Sequence, residues 1–394
     1  MGTSNVDGAT QQAPLPTSTI STLIEAQPTL PANVTRYPEL ITALQNGNIE
    51  TAISLIQAIE SSRRDDVKML SMGVRLMLDH LYVIDATDFQ MPSVRAKMDA
   101  ALAVADRAIA AAPDLPDGWA AKALALNWAY QTDEAVAAIQ QARDRDPNHP
   151  AVLAVAAEID VERGNYAQAQ ALLDQSIAHA EAANPPNRSA LARAYYVRGN
   201  IEQILGHPDE AIAAYEAAMA ISSSPYDIHD PWMVVPPGYI LYQLGPIYLF
   251  QGQGDIALRQ YTDALSVDRQ DAFLFYLRGR VYRFRGDFTS AKAEFQRCIQ
   301  MDIQQWRCWR NQAQIAYEAG DWRAVIGYLQ PIIDDNSQIS DDYYYQGAAS
   351  IELNRCDQGV PYLERGIELF GTATGTPTWT ITDFTSALQR CNTP

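Results

Sequence analysis

The sequence predicts an all-α protein in which antiparallel helix pairs stack into an α-solenoid. Small residues that allow two helices to touch recur at a 34-residue step: Gly245, Gly279, Ala313 and Gly347. Turn glycines keep the same step: Gly252, Gly286 and Gly320. So do bulky residues of the helix that follows: Tyr261, Phe295, Leu329 and Leu363. This period is typical of a two-helix repeat, because neither helix can bury its apolar face alone.

Composition and charge restrict the class of partner. The 394 residues carry a net charge of −18, with a pI near 4.6, and 47% of them are hydrophobic. This hydrophobic content is enough for a continuous core. A nucleic-acid partner is disfavoured, because phosphate binding needs a basic surface. The sequence has no run of 18 or more apolar residues, so we expect no membrane insertion.

Residues 1–36 are expected to form a disordered tether, because they are rich in Thr, Ser and Pro. They lack the basic start and the apolar core of a secretory signal. Tethers of this kind often follow an export signal or lipid anchor that has been removed. This favours an extracytoplasmic protein (periplasmic, surface or secreted) whose signal is absent from this chain. A cytoplasmic protein with a disordered start is the alternative.

The helix pairs follow in order from Tyr37. A degenerate first pair covers residues 37–61, and a second pair begins near Asp66, with an insertion near 81–92 before its second helix. Three further repeats are expected at 116–149, 150–183 and 192–225. Small and aromatic residues in the expected places support them: Trp119, Ala123, Ala157, Tyr166, Tyr195 and Gly199.

The second half of the chain begins with another insertion, near 226–237, which reads YDIHDPWMVVPP. Four contiguous repeats then complete the array: 238–271, 272–305, 306–339 and 340–373. In the last of them Arg355 and Asp357 replace the turn glycine and the aromatic residue. We expect about eight repeats over 37–373. Residues 374–394 supply a capping helix and a tail, since the exposed end of a solenoid needs a cover.

Two turn motifs carry a family resemblance. The segments RGDFTSA, from Arg285, and AGDWRAV, from Ala319, stand at equivalent places in successive repeats. With the 34-residue phase they make the chain similar to the tetratricopeptide repeat (TPR) family from about Tyr37 to Ala373. The resemblance implies a TPR superhelix whose first helices line a concave groove that binds a protein or peptide segment. It also implies a protein that is not an enzyme and has no cofactor.

The groove positions suggested by this resemblance carry tyrosine and arginine. The predicted partner-binding residues are Tyr196, Asn200, Tyr242, Tyr276, Arg280, Arg283, Arg310 and Tyr344, together with Trp232 from the second insertion. Tyrosine and arginine are common at binding hot spots, and an arginine also stacks on aromatic rings. Two interpretations are open: the tyrosines contact a ligand, or their rings only pack between adjacent first helices.

The four cysteines all lie in the last quarter of the chain. Cys298 and Cys308 flank a turn near Ile303, so antiparallel helices could bring them together. Cys356 lies between the two helices of the last repeat, and Cys391 ends the closing helix. Two disulfides, Cys298–Cys308 and Cys356–Cys391, are one interpretation, and four buried thiols are the other. No Cys or His spacing suggests a zinc site.

The sequence offers no catalytic pattern. The five histidines are scattered, and no nucleophile triad or phosphate loop is present. Four carboxylates cluster around one turn, where calcium binding and helix capping are both open: Asp334, Asp335, Asp341 and Asp342. We therefore expect a non-enzymatic scaffold that holds a protein segment, with acidic side chains opposite the groove arginines. The alternative is a structural protein that assembles head to tail with copies of itself into filaments.

Overall fold

The computed structural model describes residues 37–45, 49–59, 63–82, 92–184, 186–222, 237–267, 271–370 and 378–392. These residues form nineteen α-helices, and among them there is no strand. Consecutive helices pack in antiparallel pairs, and the pairs stack on one another. The prediction of an all-α solenoid is confirmed. The described residues contain nine pairs and a closing helix, where we expected about eight repeats.

The first five pairs occupy the N-terminal half. Their helices are α1 Pro38–Gln45, α2 Ile49–Gln57, α3 Val67–Tyr82, α4 Pro92–Ala111, α5 Pro116–Trp128, α6 Thr132–Arg145, α7 Pro150–Glu162, α8 Tyr166–Ala182, α9 Arg188–Ile204 and α10 Pro208–Ile221. A short 3₁₀ helix, Arg64–Asp66, precedes α3. Odd-numbered helices are the first helices of their pairs. Most of the insertion expected near 81–92 lies outside the described residues.

The remaining four pairs and the closing helix follow. They are α11 Pro237–Phe250, α12 Gly254–Val267, α13 Ala272–Phe284, α14 Phe288–Met301, α15 Trp306–Glu318, α16 Trp322–Asp334, α17 Ser340–Glu352, α18 Cys356–Leu369 and α19 Ile381–Asn392. Of the insertion expected near 226–237, only Pro237, the first residue of α11, is described.

In the part of the chain that the structure describes, the turn inside seven of the pairs contains a left-handed residue, which between α5 and α6 is Tyr130, with φ 56°. Glycine takes this place in five pairs, with φ between 71° and 81°: Gly164, Gly206, Gly252, Gly286 and Gly320. In the last pair Asn354 occupies the equivalent position, with φ 59°. Asparagine tolerates this conformation better than most residues. The departure noted at Arg355 and Asp357 therefore leaves the turn itself intact, because the residue that makes it is Asn354.

The core of a pair forms where an aromatic ring of the second helix rests on a glycine of the first. A Cβ placed on Gly279 would lie 2.6 Å from Cε1 of Phe295, and one on Gly199 would lie 2.5 Å from Cδ1 of Tyr215. Tyr215 and Phe295 are fully buried. Each ring therefore packs on the glycine of its own pair.

The stack also winds back on itself. The Nζ atom of Lys97, in α4, donates a hydrogen bond to Oε1 of Gln304, in the turn before α15, across a separation of 207 residues. Small rotations between successive repeats add up to this curvature. The array therefore coils as a superhelix.

Disulfides join the cysteines in the two pairs considered above. Cys298 and Cys308 are bonded across the turn between α14 and α15, with Cα atoms 6.4 Å apart. Cys356, at the start of α18, is bonded to Cys391 in the last turn of α19, with Cα atoms 5.7 Å apart. The second bond fastens the closing helix to the last repeat.

We predict that protein isolated without reductant contains no free thiol after unfolding. Both cysteine pairs are within bonding geometry, and disulfides persist in oxidising compartments. A thiol titration of the unfolded protein tests this, with a reduced sample as the control that should show four thiols. Four free thiols in unreduced material from the native source would contradict the prediction and would favour a reducing compartment.

Candidate partner-binding site

The predicted partner-binding residues lie on five successive first helices. Tyr196 and Asn200 are on α9, and Tyr242 is on α11. The helix α13 carries Tyr276, Arg280 and Arg283, while Arg310 is on α15 and Tyr344 on α17. Trp232 lies outside the described residues. The structure places these side chains in very different surroundings, so they do not form one continuous binding surface.

The α9 members contribute to packing. Tyr196 is only 7% exposed, and its ring centroid lies 5.8 Å from that of Tyr215. Burial raises the pKa of Tyr196 to about 12. The side chain of Asn200 accepts a hydrogen bond of 2.8 Å from the Tyr215 hydroxyl, so it satisfies a polar group of the core. Tyr196 and Asn200 thus stabilise the packing of α9 on α10.

The first helices of the N-terminal half leave little concave surface open. Ten of the thirteen residues in each of α5 and α7 are buried, and most of the buried ones are alanine, valine or leucine. Four first helices, α3, α5, α7 and α9, together line one small cavity, and Arg75 and Arg193 are among its lining residues. Arg193 forms an ion pair of 3.1 Å with Glu158. Small side chains allow these helices to approach closely, which fills the predicted groove in this half.

An arginine–tyrosine cluster lies on α11, α13 and α15. The Arg280 guanidinium carbon is 5.7 Å from the ring centroids of both Tyr242 and Tyr276. The Arg307 guanidinium carbon is 5.5 Å from the Tyr242 centroid and 5.7 Å from the Tyr276 centroid. The ring of Phe273 stacks on Tyr276, with centroids 5.7 Å apart. Two positive charges thus share the same aromatic rings.

Arg307 was missed in the sequence. It is 7% exposed and belongs to the first turn of α15. The available signal was its place in the repeat, because Arg307 follows Phe273 by one 34-residue step. The predicted groove residues Tyr276 and Arg310 lie three positions later in their repeats, so the prediction left out this position, which faces the same rings.

Arg280 differs from its neighbours in how its charge is balanced. Arg278 pairs with Glu294 at 2.7 Å, and Arg285 pairs with Asp255 at 2.7 Å. Arg283 pairs with Glu318 at 2.8 Å. Arg280 is partly exposed, and within the described part of the chain its contacts are with tyrosines and not with a carboxylate. Its neighbouring rings, Tyr276 foremost, raise the pKa of the guanidinium, so it stays charged.

The surface around Arg280 is defined by two parallel rows of residues. On α13 the row is Tyr276, Arg280 and Phe284, and on α11 it is Tyr242, Pro246 and Phe250. Members of a row are four residues apart, which places them along one side of a helix. Phe250 is 94% exposed and Phe284 is 71% exposed. We call these six residues the Arg280 face.

The other two predicted arginines connect neighbouring helices. Arg283 reaches from α13 to α15, where Nη1 donates to Asn311 at 2.9 Å and also to Gln314. Arg310 is buried, and its Nε lies 3.0 Å from both carboxylate oxygens of Asp342 on α17. These two side chains therefore bridge successive repeats.

The carboxylates near Asp334 have hydrogen-bond partners in the protein. Asp342 accepts from Arg310 and, at 2.7 Å, from the Ser337 hydroxyl. Asp341 accepts from the backbone nitrogen of Thr378 at 2.9 Å. Across the described ranges, no group of three or more His, Cys, Asp or Glu is placed to hold a metal ion. In the same ranges no helix is both long enough and apolar enough to cross a membrane.

Comparison with known families supports the repeat assignment. Two tetratricopeptide repeat profiles match the chain, one over residues 151–224 and the other over residues 274–302. Among curated proteins, the chain is similar to the photosystem I assembly protein Ycf3 of Acaryochloris marina (strain MBIC 11017). The two are 27% identical over 100 residues, which are 25% of this chain and 55% of that protein. The chain therefore matches about half of that relative's length.

Solved structures show a related architecture. The APC/C hetero-tetramer Cut9–Hcn1 contains a chain that is 14% identical, with a TM-score of 0.53. That match covers 86% of this chain and 58% of the other. A tetratricopeptide repeat protein from Parabacteroides merdae ATCC 43184 is 11% identical over 71% of this chain and 99% of its own, with a TM-score of 0.44. At these identities the likeness concerns the fold alone.

Proposed function

We propose that this chain, which two tetratricopeptide repeat profiles match over residues 151–224 and 274–302, is a non-enzymatic scaffold that binds an acidic protein segment on the Arg280 face. Repeats of this family are protein-interaction modules. The finer assignment rests on one observation: Arg280 is a partly buried positive charge in contact with tyrosines, whereas the neighbouring arginines in sequence, Arg278, Arg283 and Arg285, are paired with carboxylates.

The charge of Arg280 defines the first feature of the partner. A guanidinium that already stacks on two rings keeps donors available for a carboxylate, and charge-assisted hydrogen bonds are stronger than neutral ones. The net charge of −18 disfavours non-specific capture of acidic molecules. Binding of an acidic segment therefore depends on this local site.

The exposed phenylalanines define the second feature. Phe250 and Phe284 end the two rows of the Arg280 face, one helical turn beyond Pro246 and Arg280. Large apolar side chains with this degree of exposure mark contact surfaces when they occur together. The partner segment should therefore present an acidic residue with apolar side chains on one flank, in an extended or helical conformation.

We predict that Arg280→Ala weakens partner binding about 10- to 100-fold, equivalent to roughly 1–3 kcal/mol for a charged hydrogen bond at a partly desolvated site. The partner is first identified by co-purification from the native source, and affinity is then measured by calorimetry. Arg285→Ala is the matched control, because it removes an exposed arginine at the end of the same helix and loses only a surface ion pair.

Stability measurements separate binding from folding in this experiment. Arg280→Ala and Arg285→Ala should both melt within a few degrees of the wild type. If Arg280→Ala binds the partner normally, the proposed site is wrong. An early melt of Arg280→Ala would show that the arginine supports packing of the tyrosines instead.

Self-assembly is the competing function, and the exposed edge formed by Phe250 and Phe284 is the observation that favours it. A second copy could cover this apolar surface. Sedimentation of the wild type and of a Phe250→Ser, Phe284→Ser variant at rising concentration distinguishes the two. A wild type that stays monomeric excludes filaments, whereas growth that the variant abolishes supports them.

A further inference from the structure

Tyr344, on α17, is covered by another part of the same chain. The indole ring of Trp379 stacks on Tyr344 with centroids 4.3 Å apart and an angle of 21° between the planes. Tyr345 and Tyr317 present their rings edge-on to Trp379, with centroids 5.7 Å and 5.9 Å away. Three tyrosines from two first helices thus surround one tryptophan.

Trp379 enters this site from a surface segment. Its neighbours Thr378 and Thr380 are exposed, and the indole itself is partly buried. Phe384, five residues later, is fully buried and lies where a Cβ on Gly366 would come within 2.3 Å of its Cε1. Phe384 therefore caps the core of the last repeat and presents its ring edge-on to Tyr344, with centroids 5.0 Å apart, while Trp379 stacks on the same tyrosine from the surface segment.

The backbone beside Trp379 is bound as well. The Asp341 carboxylate accepts hydrogen bonds from the backbone nitrogens of Thr378, at 2.9 Å, and Trp379, at 3.4 Å. A site that grips one side chain and also hydrogen-bonds the adjacent main chain combines the two components of peptide recognition. The arrangement resembles a bound ligand more than a core contact.

We propose that Tyr317, Tyr344, Tyr345 and Asp341 form a tryptophan-recognition site at the C-terminal end of the array, and that Trp379 is its intramolecular occupant. A tryptophan-bearing segment of another protein binds there by displacing Trp379. The site is separate from the Arg280 face and does not depend on the function proposed for that surface.

The second disulfide controls how firmly the site is occupied. The Cys356–Cys391 bond and an ion pair of 2.5 Å between Arg390 and Glu352 hold the last turn of α19 against the last repeat. A tether of this kind raises the effective concentration of Trp379 at the site. Reduction of the disulfide should lower the effective concentration of Trp379 and allow an external tryptophan side chain to bind more readily.

The test uses a fluorescein-labelled peptide with the sequence of residues 378–384, TWTITDF, and a control peptide with alanine in place of tryptophan. Trp379→Ala in the full chain should bind the tryptophan peptide at least about ten-fold more tightly than the oxidised wild type, because its site is vacant. Cys391→Ser, which keeps Trp379, should bind with intermediate affinity. The alanine peptide should bind none of the three proteins.

Two outcomes would overturn the proposal. One is a folded Trp379→Ala protein that binds the tryptophan peptide no better than the wild type does, or that binds the alanine peptide equally well. The other concerns stability, with Phe384→Ala as the reference for loss of a core residue. If Trp379→Ala lowers the melting temperature as much as Phe384→Ala does, the tryptophan is part of the core and no separate site exists.

Discussion

Replacing Asp342 by alanine is expected to lower the free energy of unfolding by about 3–5 kcal/mol, because it leaves a buried guanidinium without its carboxylate. Asp342 is 2% exposed and Arg310 is 8% exposed. Their contacts join α15 to α17, with both carboxylate oxygens 3.0 Å from Nε. Asp342→Ala should therefore destabilise the interface between two repeats, and its effect should not be confined to one helix. Denaturant unfolding of the variant measures it.

A double variant is the control for this prediction. Arg310→Met combined with Asp342→Leu removes both charges and fills the space with apolar side chains. It should therefore lower the free energy of unfolding much less than Asp342→Ala does, since replacing a buried ion pair by apolar residues is sometimes stabilising. If Asp342→Ala loses less than about 1 kcal/mol, the pair is more hydrated than its burial indicates. Equal losses for the single and double variants would mean that packing, and not the orphaned charge, decides the cost.

The second large effect concerns the contact between Gly279 and Phe295. Phe295→Ala should destabilise the protein by about 3–5 kcal/mol, since Phe295 is fully buried and its removal leaves a cavity. Gly279→Leu should cost about 1–3 kcal/mol or more, because even the first side-chain atom would lie 2.6 Å from Phe295. Chemical denaturation of each variant gives the two values.

The two substitutions are expected to compensate partly when they are combined. The leucine at position 279 would enter the space that Phe295→Ala vacates, so the double variant should lose at least about 1 kcal/mol less than the sum of the single losses. Additive losses would show that the two residues are not in direct contact. Gly252→Ala is an informative reference, because Gly252 has no atom near its missing side chain and costs only backbone strain.

The predicted tyrosine groove divides into three parts along the array. At α9 the residues are buried and support packing, as Tyr196 shows. At α11 and α13 the Arg280 face is open and carries an unneutralised charge beside exposed phenylalanines. At α17 the equivalent tyrosine is already covered by Trp379. Of the two interpretations left open by the sequence, ring packing is thus observed at α9, and ligand contact is our proposal for α11 and α13.

The architecture could be predicted from the sequence because its signals are local and repeat. Gly286 must take a positive φ, and Gly279 must lack a side chain where two helices cross. Such requirements recur every 34 residues and do not depend on the rest of the chain. The two cysteine pairs were also accessible, since one pair flanks a short turn and the other joins the start of α18 to the last turn of α19.

The character of each surface was decided only by the tertiary structure. Arg75 and Arg193 line one cavity although more than a hundred residues separate them, because alanine-rich first helices approach closely and rotations between repeats accumulate into curvature. The pairing of Arg310 with Asp342, one repeat away, and the stacking of Trp379 on Tyr344 depend on how each unit docks on its neighbour. A 34-residue phase shows which side chains occupy equivalent positions. Whether an equivalent position is buried, paired or open depends on what the winding of the whole array brings against it.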